Sequence, residues 1–177
     1  MEVRRYDDPV AFRRDGAPVL MADPARNNLT LAILQILQEQ PEFYPVFHLW
    51  SAVRGGRPLG LALQTEPFNV LVAEPLEAEA VDALAEAVVT DAGPLPGVVA
   101  NLPAADRFAR RVTSITGRGA DRILHEGVWE LTAVEDVPTP RAVSWVATPR
   151  TSCARPSSTA RSSGRQPADP GGTSPGA

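Results

Sequence analysis

Three polar residues lie at the break between two apolar segments in the middle of the chain, where they could line a pocket. Thr65, Glu66 and Asn69 flank Pro67 in the stretch GLALQTEPFNVLVA. Pro67 breaks the chain between two predicted strands, and polar side chains beside such a break can line a pocket. Glu66 could act as a general base if it were buried, because burial raises the pKa of a carboxyl group. The alternative is an exposed loop acid, since nothing in the sequence indicates burial at this position.

Two other pairs of residues carry polar or aromatic groups that could face a substrate. His48 and Trp50 share one face of a predicted strand, and that face could line a cleft or could cover a helix. Asn27 and Asn28 fall in the first turns of a predicted helix, where they could contact a substrate or belong to a solvated helix start. We predict that the residues of a substrate cleft are Asn28, Trp50, Thr65, Glu66 and Asn69.

The residues that most often bind metals or act as nucleophiles are scarce. His48 and His125 are the only histidines, and no other ligand stands at metal-binding spacing from either of them. Cys153 is the single cysteine, which excludes an intramolecular disulfide and a cysteine zinc cluster. No base or cation is near Cys153 in the sequence, so we do not predict a nucleophile there. The sequence predicts no metal site and identifies no catalytic residue.

Composition narrows the choice of partners. The chain has 177 residues and a net charge of −4, and an acidic protein is an unfavourable partner for nucleic acid. The first residues, MEVRRYDDPVAF, include no apolar leader. No stretch approaches the roughly 20 apolar residues of a membrane helix. We therefore expect a cytoplasmic protein that binds neither nucleic acid nor membranes.

The elements that must position the candidate residues are predicted to form an α/β domain with a mixed, mostly antiparallel sheet flanked by helices. In chain order they are a strand in MEVRRYDD, a short helix in PVAFRRDGAPVLMAD, a helix in DPARNNLTLAILQILQEQ, a hairpin in FHLWSAVRGGRPLGLALQT, a strand in FNVLVAEP, a helix in LEAEAVDALAEAVVTDAG, a strand in PGVVAN, a helix in LPAADRFARRVTSITG and one or two strands in DRILHEGVWELTAVEDV.

Local signals set several boundaries and buried faces. Asp23 and Pro24 have the residue types of a helix cap and a first helical position. Gly55 and Gly56 can take the positive φ angles of a tight hairpin turn, and FNVLVAEP has the apolar continuity of a strand covered on both faces. The second and third of the three long helices are predicted to end near Gly93 and Gly117. The predicted inward residues are Ala25, Leu29, Ile33, Ile36 and Leu37 in the first long helix, Val81, Leu84, Ala85 and Val88 in the second, and Ala105, Phe108, Val112 and Ile115 in the third.

A change of composition divides the chain into a folded part, residues 1–137, and a tail, residues 138–177. Residues 1–140 hold 12 Arg against 20 acidic residues, a balance of −8, whereas residues 141–177 hold 5 Arg against one Asp, a balance of +4. The tail is rich in Ser, Pro, Gly and Arg, and such a sequence buries too little apolar surface to offset the entropy lost on ordering. We predict disorder there, either as a native tail or as out-of-frame translation that begins at Arg141.

The order of elements resembles the GNAT superfamily of N-acetyltransferases. The segments ADPARNNLTLAIL, FHLWSAVRGGRPLGLALQTEPFNVLVAEP, LPGVVANLPAADRFA and GVWELTAV are together similar to the N-terminal half of two-domain acetyltransferases of actinobacterial type. The resemblance covers most of residues 1–137. It implies transfer of an acetyl group from acetyl-CoA to an amine.

The cofactor loop of that superfamily has no counterpart in this sequence. The resemblance implies a Q/R-x-x-G-x-G/A loop after the fourth strand, where backbone amides at a helix start hold the pyrophosphate. Here FNVLVA is followed by EPLEAEA, with Glu74, Glu77 and Glu79 at that place and no glycine before Gly93. The acidic side chains would repel a pyrophosphate, so we expect acetyl-CoA to bind this chain weakly or not at all.

Two functions remain open from the sequence. The first is a truncated, weakly active or inactive acetyltransferase domain whose partners would be an amine-bearing small molecule or a second domain of the same superfamily. The second is a non-catalytic interaction module on the same scaffold that forms a homodimer through an exposed sheet edge.

Overall fold

A five-stranded mixed sheet with helices against both faces forms the framework of the molecule, which confirms the predicted α/β class. The computed structural model describes residues 1–131 and residue 133. The strands are β1 (Glu2–Tyr6), β2 (Phe47–Arg54), β3 (Arg57–Thr65), β4 (Val70–Val72) and β5 (Val98–Ala100). The helices are α1 (Pro9–Asp15), α2 (Ala17–Leu20), α3 (Asn28–Glu39), α4 (Glu79–Ala92) and α5 (Ala104–Thr116), with a 3-10 turn at Pro41–Phe43.

The strands lie in the sheet in chain order. Neighbouring strands from β1 to β4 are antiparallel, and β4 and β5 are parallel, joined through α4. The β2–β3 hairpin turns at Gly55 and Gly56, whose φ angles are +58° and +81°. Residues with a side chain rarely adopt such positive φ angles, so the paired glycines fix the turn and the register of the hairpin, as predicted.

Alternation along the central strands divides the buried residues into two cores. Trp50, Ala62 and Val72 face α4 and α5 on one side of the sheet. Leu49 and Leu63 face the α1–α3 side. Because β4 contributes residues to both cores, its apolar run is explained by coverage on both faces, as the sequence predicted.

Helix α4 has the predicted inward face, and a glycine allows it to pack closely on β3. Val81, Leu84, Ala85 and Val88 are all buried. A Cβ atom at Gly60 would stand only 2.8 Å from the Cβ of Ala80, so the strand and helix backbones approach each other at this point. The helix ends at Gly93 with φ of +68°, in agreement with the prediction.

Helix α5 is also terminated as predicted, by Gly117 with φ of +70°. Its predicted inward face is confirmed in part. Phe108 is buried and packs against α4, and Val112 packs at the edge of the same core. Ile115 is exposed, because it lies in the last turn of α5, beyond the part of the helix that packs on the sheet.

The prediction for α3 is wrong at its start and over most of its inward face. The helix begins at Asn28, because the Asp23 carboxylate accepts a hydrogen bond from the Arg26 amide at 3.0 Å and caps a separate turn. The buried residues are Thr30, Leu34 and Leu37. Of the predicted inward residues only Leu37 is buried, whereas Leu29 is exposed and Ala25, Ile33 and Ile36 are half-buried.

The predicted strand region in DRILHEGVWELTAVEDV is also wrong over the part that the structure describes. Residues 121–131 form no strand, and their side chains are exposed. Among the described residues these apolar side chains have no neighbouring strand, and an apolar sequence alone does not create a strand without one. Residues 132 and 134–137, the predicted tail at 138–177 and Cys153 lie outside the described residues. No helix in the described part has the length and apolar character needed to cross a membrane.

Candidate functional site

Four of the five predicted cleft residues are associated with the β3–β4 connection, and the fifth is not. Thr65 is buried at the end of β3, Glu66 is exposed just after it, and Asn69 is half-buried just before β4. Trp50 joins this region through its neighbour His48, as described below. Asn28 is exposed at the start of α3, close to the opposite end of β4, so the length of that strand separates it from the others.

The central feature of this region is a contact between a carboxylate and an imidazole. In the β2–β3 hairpin, Phe47 lies opposite Thr65 and His48 opposite Gln64. Glu66 continues the pairing through its amide, which donates to the Val46 carbonyl at 3.0 Å. This register brings Glu66 Oε1 to 3.0 Å from His48 Nε2. The hairpin therefore converts two residues that are far apart in sequence into an acid–histidine pair.

The second ring nitrogen of His48 indicates which tautomer the pair favours. Arg5 Nη2 lies 3.5 Å from His48 Nδ1, a long contact. Because a guanidinium can only donate hydrogen bonds, Nδ1 must accept in this arrangement. In the neutral form with its proton on Nε2, His48 then donates an N–H hydrogen bond to Glu66 Oε1. The side chain of His48 is 19% exposed and that of Glu66 is 52% exposed, so the pair lies at the protein surface.

Trp50 connects the pair to the end of α4. Its ring stacks on the His48 ring with centroids 5.6 Å apart and an interplanar angle of 28°. Its indole Nε1 donates to Asp91 Oδ2 at 2.7 Å, and Arg5 Nε lies 3.4 Å from the same oxygen. A carboxylate near a helix C-terminus is unfavourable to the helix dipole. The two donors offset that repulsion and hold Asp91 in place.

The same face of the sheet contains a buried amide that is only half satisfied. Gln64 lies opposite His48 and is almost completely buried. Its Nε2 donates to the Phe68 carbonyl at 3.0 Å, which fixes the orientation of the amide. Its Oε1 has no hydrogen-bond partner within the described part of the chain. Buried acceptors are normally paired, so Gln64 Oε1 is an exception on the strand position opposite His48.

Asn69 is held against the connection that leads into β5. The Val70 amide donates to the Gly97 carbonyl at 3.0 Å. The Asn69 side-chain oxygen occupies the space that a Cβ at Gly97 would enter, at a distance of 2.8 Å. Asn69 thus packs where β4 and β5 begin, and a larger residue at Gly97 would displace it.

Sequence reasoning did not find Arg5, Asp91 or Gln64 as members of this cluster. Arg5 lies on the first strand and Asp91 at the end of α4, and neither has a local motif that indicates an interaction with the other. Gln64 appears in the sequence as one polar residue in an apolar strand. That pattern is the one signal that could have identified a buried polar group.

Backbone amides and carboxylates of the segment between β4 and α4 are bonded to other groups of the chain. The Asn27 side chain is 1% exposed. Its Oδ1 accepts from the Glu74 amide at 2.7 Å, and its Nδ2 lies 3.2 Å from the carbonyls of Val19 and Leu20. Asn27 is therefore a buried link between α2 and the β4–α4 segment, which corrects its predicted placement in the first turns of α3.

The acidic residues of the same segment are paired with arginines. Glu74 Oε2 lies 3.4 Å from Arg26 Nη1, and the Glu77 carboxylate pairs with Arg54. The Leu76 amide donates to the Leu59 carbonyl at 2.8 Å. Two cations and several amides that could contact an anionic ligand are thus engaged with groups of the chain itself.

Two surface grooves lie along α4. A groove of 510 Å³ between α4 and α5 is lined by ion pairs and by none of the predicted cleft residues. There Arg107 donates to both oxygens of Asp82, at 2.9 and 2.6 Å, and this hydrogen bonding lowers the pKa of the Asp82 carboxyl group. A groove of 410 Å³ between β1 and α4 includes Arg5 and Asp91, so it opens onto the cluster described above.

No group of acidic residues, histidines and cysteines within residues 1–131 has the arrangement of a metal site. No protein-family model matches the chain, no curated protein matches it, and no solved structure matches it. The case for a function therefore depends on the fold and on the geometry of this region.

Proposed function

We propose that the chain is an acetyltransferase-like domain of the GNAT type. The observation that carries this proposal is the order of elements through α5, namely a strand, two helical regions, a hairpin, a fourth strand, a helix, a parallel fifth strand and a helix. This is the order that the sequence resemblance implies. The catalytic activity of the full-length proteins that it resembles is transfer of an acetyl group from acetyl-CoA to an amine.

Within this proposal, the domain does not hold acetyl-CoA through its own β4–α4 segment. The Glu74 amide is already bonded to Asn27, and Arg26 and Arg54 are bonded to Glu74 and Glu77. A pyrophosphate would have to break these interactions and approach two carboxylates. The domain would then act as the half that completes the fold or contacts the acceptor, beside a second domain that binds the cofactor.

The Glu66–His48 pair is the group through which this half could act on an amine-bearing molecule. A histidine held by a carboxylate can exchange a proton with a bound group. The exposed Glu66 carboxylate would accept hydrogen bonds from an ammonium group. This role needs a cofactor supplied from outside the described domain.

Isothermal titration of acetyl-CoA into the full chain tests the proposal. We expect no measurable heat of binding at micromolar concentrations of protein. Dissociation at about 1 μM, equivalent to about −8 kcal/mol, would contradict the proposed loss of the cofactor site. The matched variant Glu77→Gln keeps the size of a partly exposed side chain and removes its charge. If acetyl-CoA does bind the unaltered chain and this variant strengthens the binding, the cofactor approaches the β4–α4 segment.

A second candidate function is a non-catalytic module that self-associates. Its support is the set of exposed apolar residues after α5, among them Ile123, Trp129 and Leu131. Contiguous exposed apolar surface is typical of an interaction site. Light scattering of the full chain tests this candidate, and a monomer at all accessible concentrations would contradict it.

A further inference from the structure

We propose that residues Ile123–Leu131 of one copy add as a strand to the free edge of β5 in a second copy. The inference rests on the second candidate function, self-association, and specifies the two surfaces that meet. One surface is the outer edge of β5, and the other is the exposed segment Ile123–Leu131, called here the C-terminal segment.

The outer edge of β5 offers unpaired backbone groups. Among the strands that the structure describes, β5 pairs with β4 alone. The Val70 amide donates to the Gly97 carbonyl, and alternate residues of a parallel strand bond to the same neighbour. Residue Val99 therefore bonds toward β4, whereas the amides and carbonyls of Val98 and Ala100 point outward. Such an edge is a template for pairing with another strand.

The C-terminal segment has the composition of a strand that lacks a partner. Ile123 and Trp129 are 89% and 93% exposed, which is unfavourable for large apolar side chains in water. In an extended conformation, alternate residues lie on opposite sides. One side then carries Ile123, His125, Trp129 and Leu131, and the other carries Leu124, Glu126, Val128 and Glu130. Both acidic residues lie on the side opposite Trp129, and apolar residues occur on both sides.

An ion pair places the start of the segment beside the end of β5. Arg122 Nη2 lies 2.7 and 2.8 Å from the two carboxylate oxygens of Asp106. Asp106 is in the first turn of α5, which begins soon after β5 ends at Ala100. The segment therefore leaves the domain close to the edge that is open, so both surfaces of a reciprocal contact lie on the same side of each copy.

A second copy is the occupant that fits both surfaces at once. Within the described residues the segment forms no strand, and the outer edge of β5 has no neighbouring strand. Two copies that exchange their segments cover both β5 edges, and the two-fold arrangement of the exchange is closed. A tryptophan buries about 150–250 Å² when it is covered, so Trp129 is the expected centre of each contact.

Light scattering after size exclusion, on the full chain, tests the contact with one variant on each surface. Trp129→Ser removes the centre of the C-terminal segment, and Ala100→Pro removes an outward amide of β5. Phe43→Ser is the matched control, because Phe43 is an exposed aromatic residue on the 3-10 turn. We expect a dimer for the unaltered chain and the control, and at least about tenfold weaker dimerisation for the other two variants.

Mixing the two variants distinguishes exchange from general loss of structure. The Ala100→Pro chain keeps an intact segment, and the Trp129→Ser chain keeps an intact β5 edge, so their mixture restores one of the two contacts. We expect heterodimers in the mixture and monomers in each variant alone, with circular dichroism unchanged for Trp129→Ser.

The remaining outcomes separate the two levels of the inference. A dimer that persists in both variants would leave self-association standing and overturn the contact proposed here. A monomeric unaltered chain would overturn self-association as well. Trp129 emission can be isolated as the difference between the unaltered chain and Trp129→Ser, because Trp50 is buried in both. Buried-type difference emission in a monomer would show that the segment pairs with its own β5 and would also overturn the proposal.

Discussion

Replacement of Asn27 by alanine is expected to destabilise the domain although Asn27 lies outside both hydrophobic cores. The side chain is 1% exposed and takes part in three hydrogen bonds. Alanine removes all three and leaves the Glu74 amide and the carbonyls of Val19 and Leu20 without these partners. These bonds connect α2 to the β4–α4 segment, so their loss affects two elements at once.

The magnitude follows from the number of bonds. A hydrogen bond contributes about 0.5–1.5 kcal/mol net, and a buried group left unpaired costs about 1–3 kcal/mol. Water can reach some of the freed groups after the substitution, so we expect a loss of about 3 kcal/mol. That is a large part of the roughly 5–15 kcal/mol by which a domain is stable.

Equilibrium unfolding of the full chain in urea measures the effect, and the neighbouring residue supplies the control. Asn28 is exposed, and Asn28→Ala should change the free energy of unfolding by no more than about 0.5 kcal/mol, as expected for a surface substitution. Equal losses for the two variants would refute the reasoning, because they would show that the three bonds of Asn27 contribute little. A loss below about 0.5 kcal/mol for Asn27→Ala would have the same meaning.

Two further substitutions test the packing of α4 and the ion pairs along it. Gly60→Ala places a Cβ 2.8 Å from that of Ala80, so we expect the free energy of unfolding in urea to fall by about 1–3 kcal/mol. The control is Gly119→Ala, whose added Cβ meets no atom within 4 Å. Equal losses for the two variants would contradict the close approach of β3 and α4. Asp82→Asn removes the carboxylate held by Arg107 and should cost less than about 1 kcal/mol at neutral pH, because both side chains are partly exposed. The pKa of Asp82 is lowered in the folded state, so the stability that its carboxylate contributes is present above the ordinary pKa of 3.8 and is lost as the pH falls through the lower folded-state pKa. A difference in unfolding free energy between the unaltered chain and Asp82→Asn that persists below both pKa values would contradict this prediction.

The sequence predicted those elements whose conformation is set by neighbouring residues. The hairpin was predictable because Gly55 and Gly56 can adopt positive φ angles. The buried face of α4 was predictable because Val81, Leu84 and Val88 recur at helical spacing. In both cases the determining information lies within a few residues, and tertiary packing agrees with it.

Local signals failed where another part of the chain competed for the same groups. Asp23 and Pro24 have the residue types of a helix start, yet the side chain of Asp23 caps a turn, and the buried bonds of Asn27 fix the chain before α3 begins. One or two strands were predicted in DRILHEGVWELTAVEDV, but residues 121–131 have no neighbouring strand within the described part of the chain. A strand depends on a partner that the sequence of the segment does not specify.

The candidate site shows the same division. The sequence by itself determined that polar residues surround the break at Pro67 and that acidic residues precede α4. Only the tertiary structure decided that Glu66 meets His48 and that Asp91 meets Arg5 and Trp50. These contacts join residues distant along the chain, and they form because strand register and the packing of α4 on the sheet bring them together. The physical reason is that turns and helical faces depend on local backbone preferences, whereas a site depends on distances that the whole fold must set.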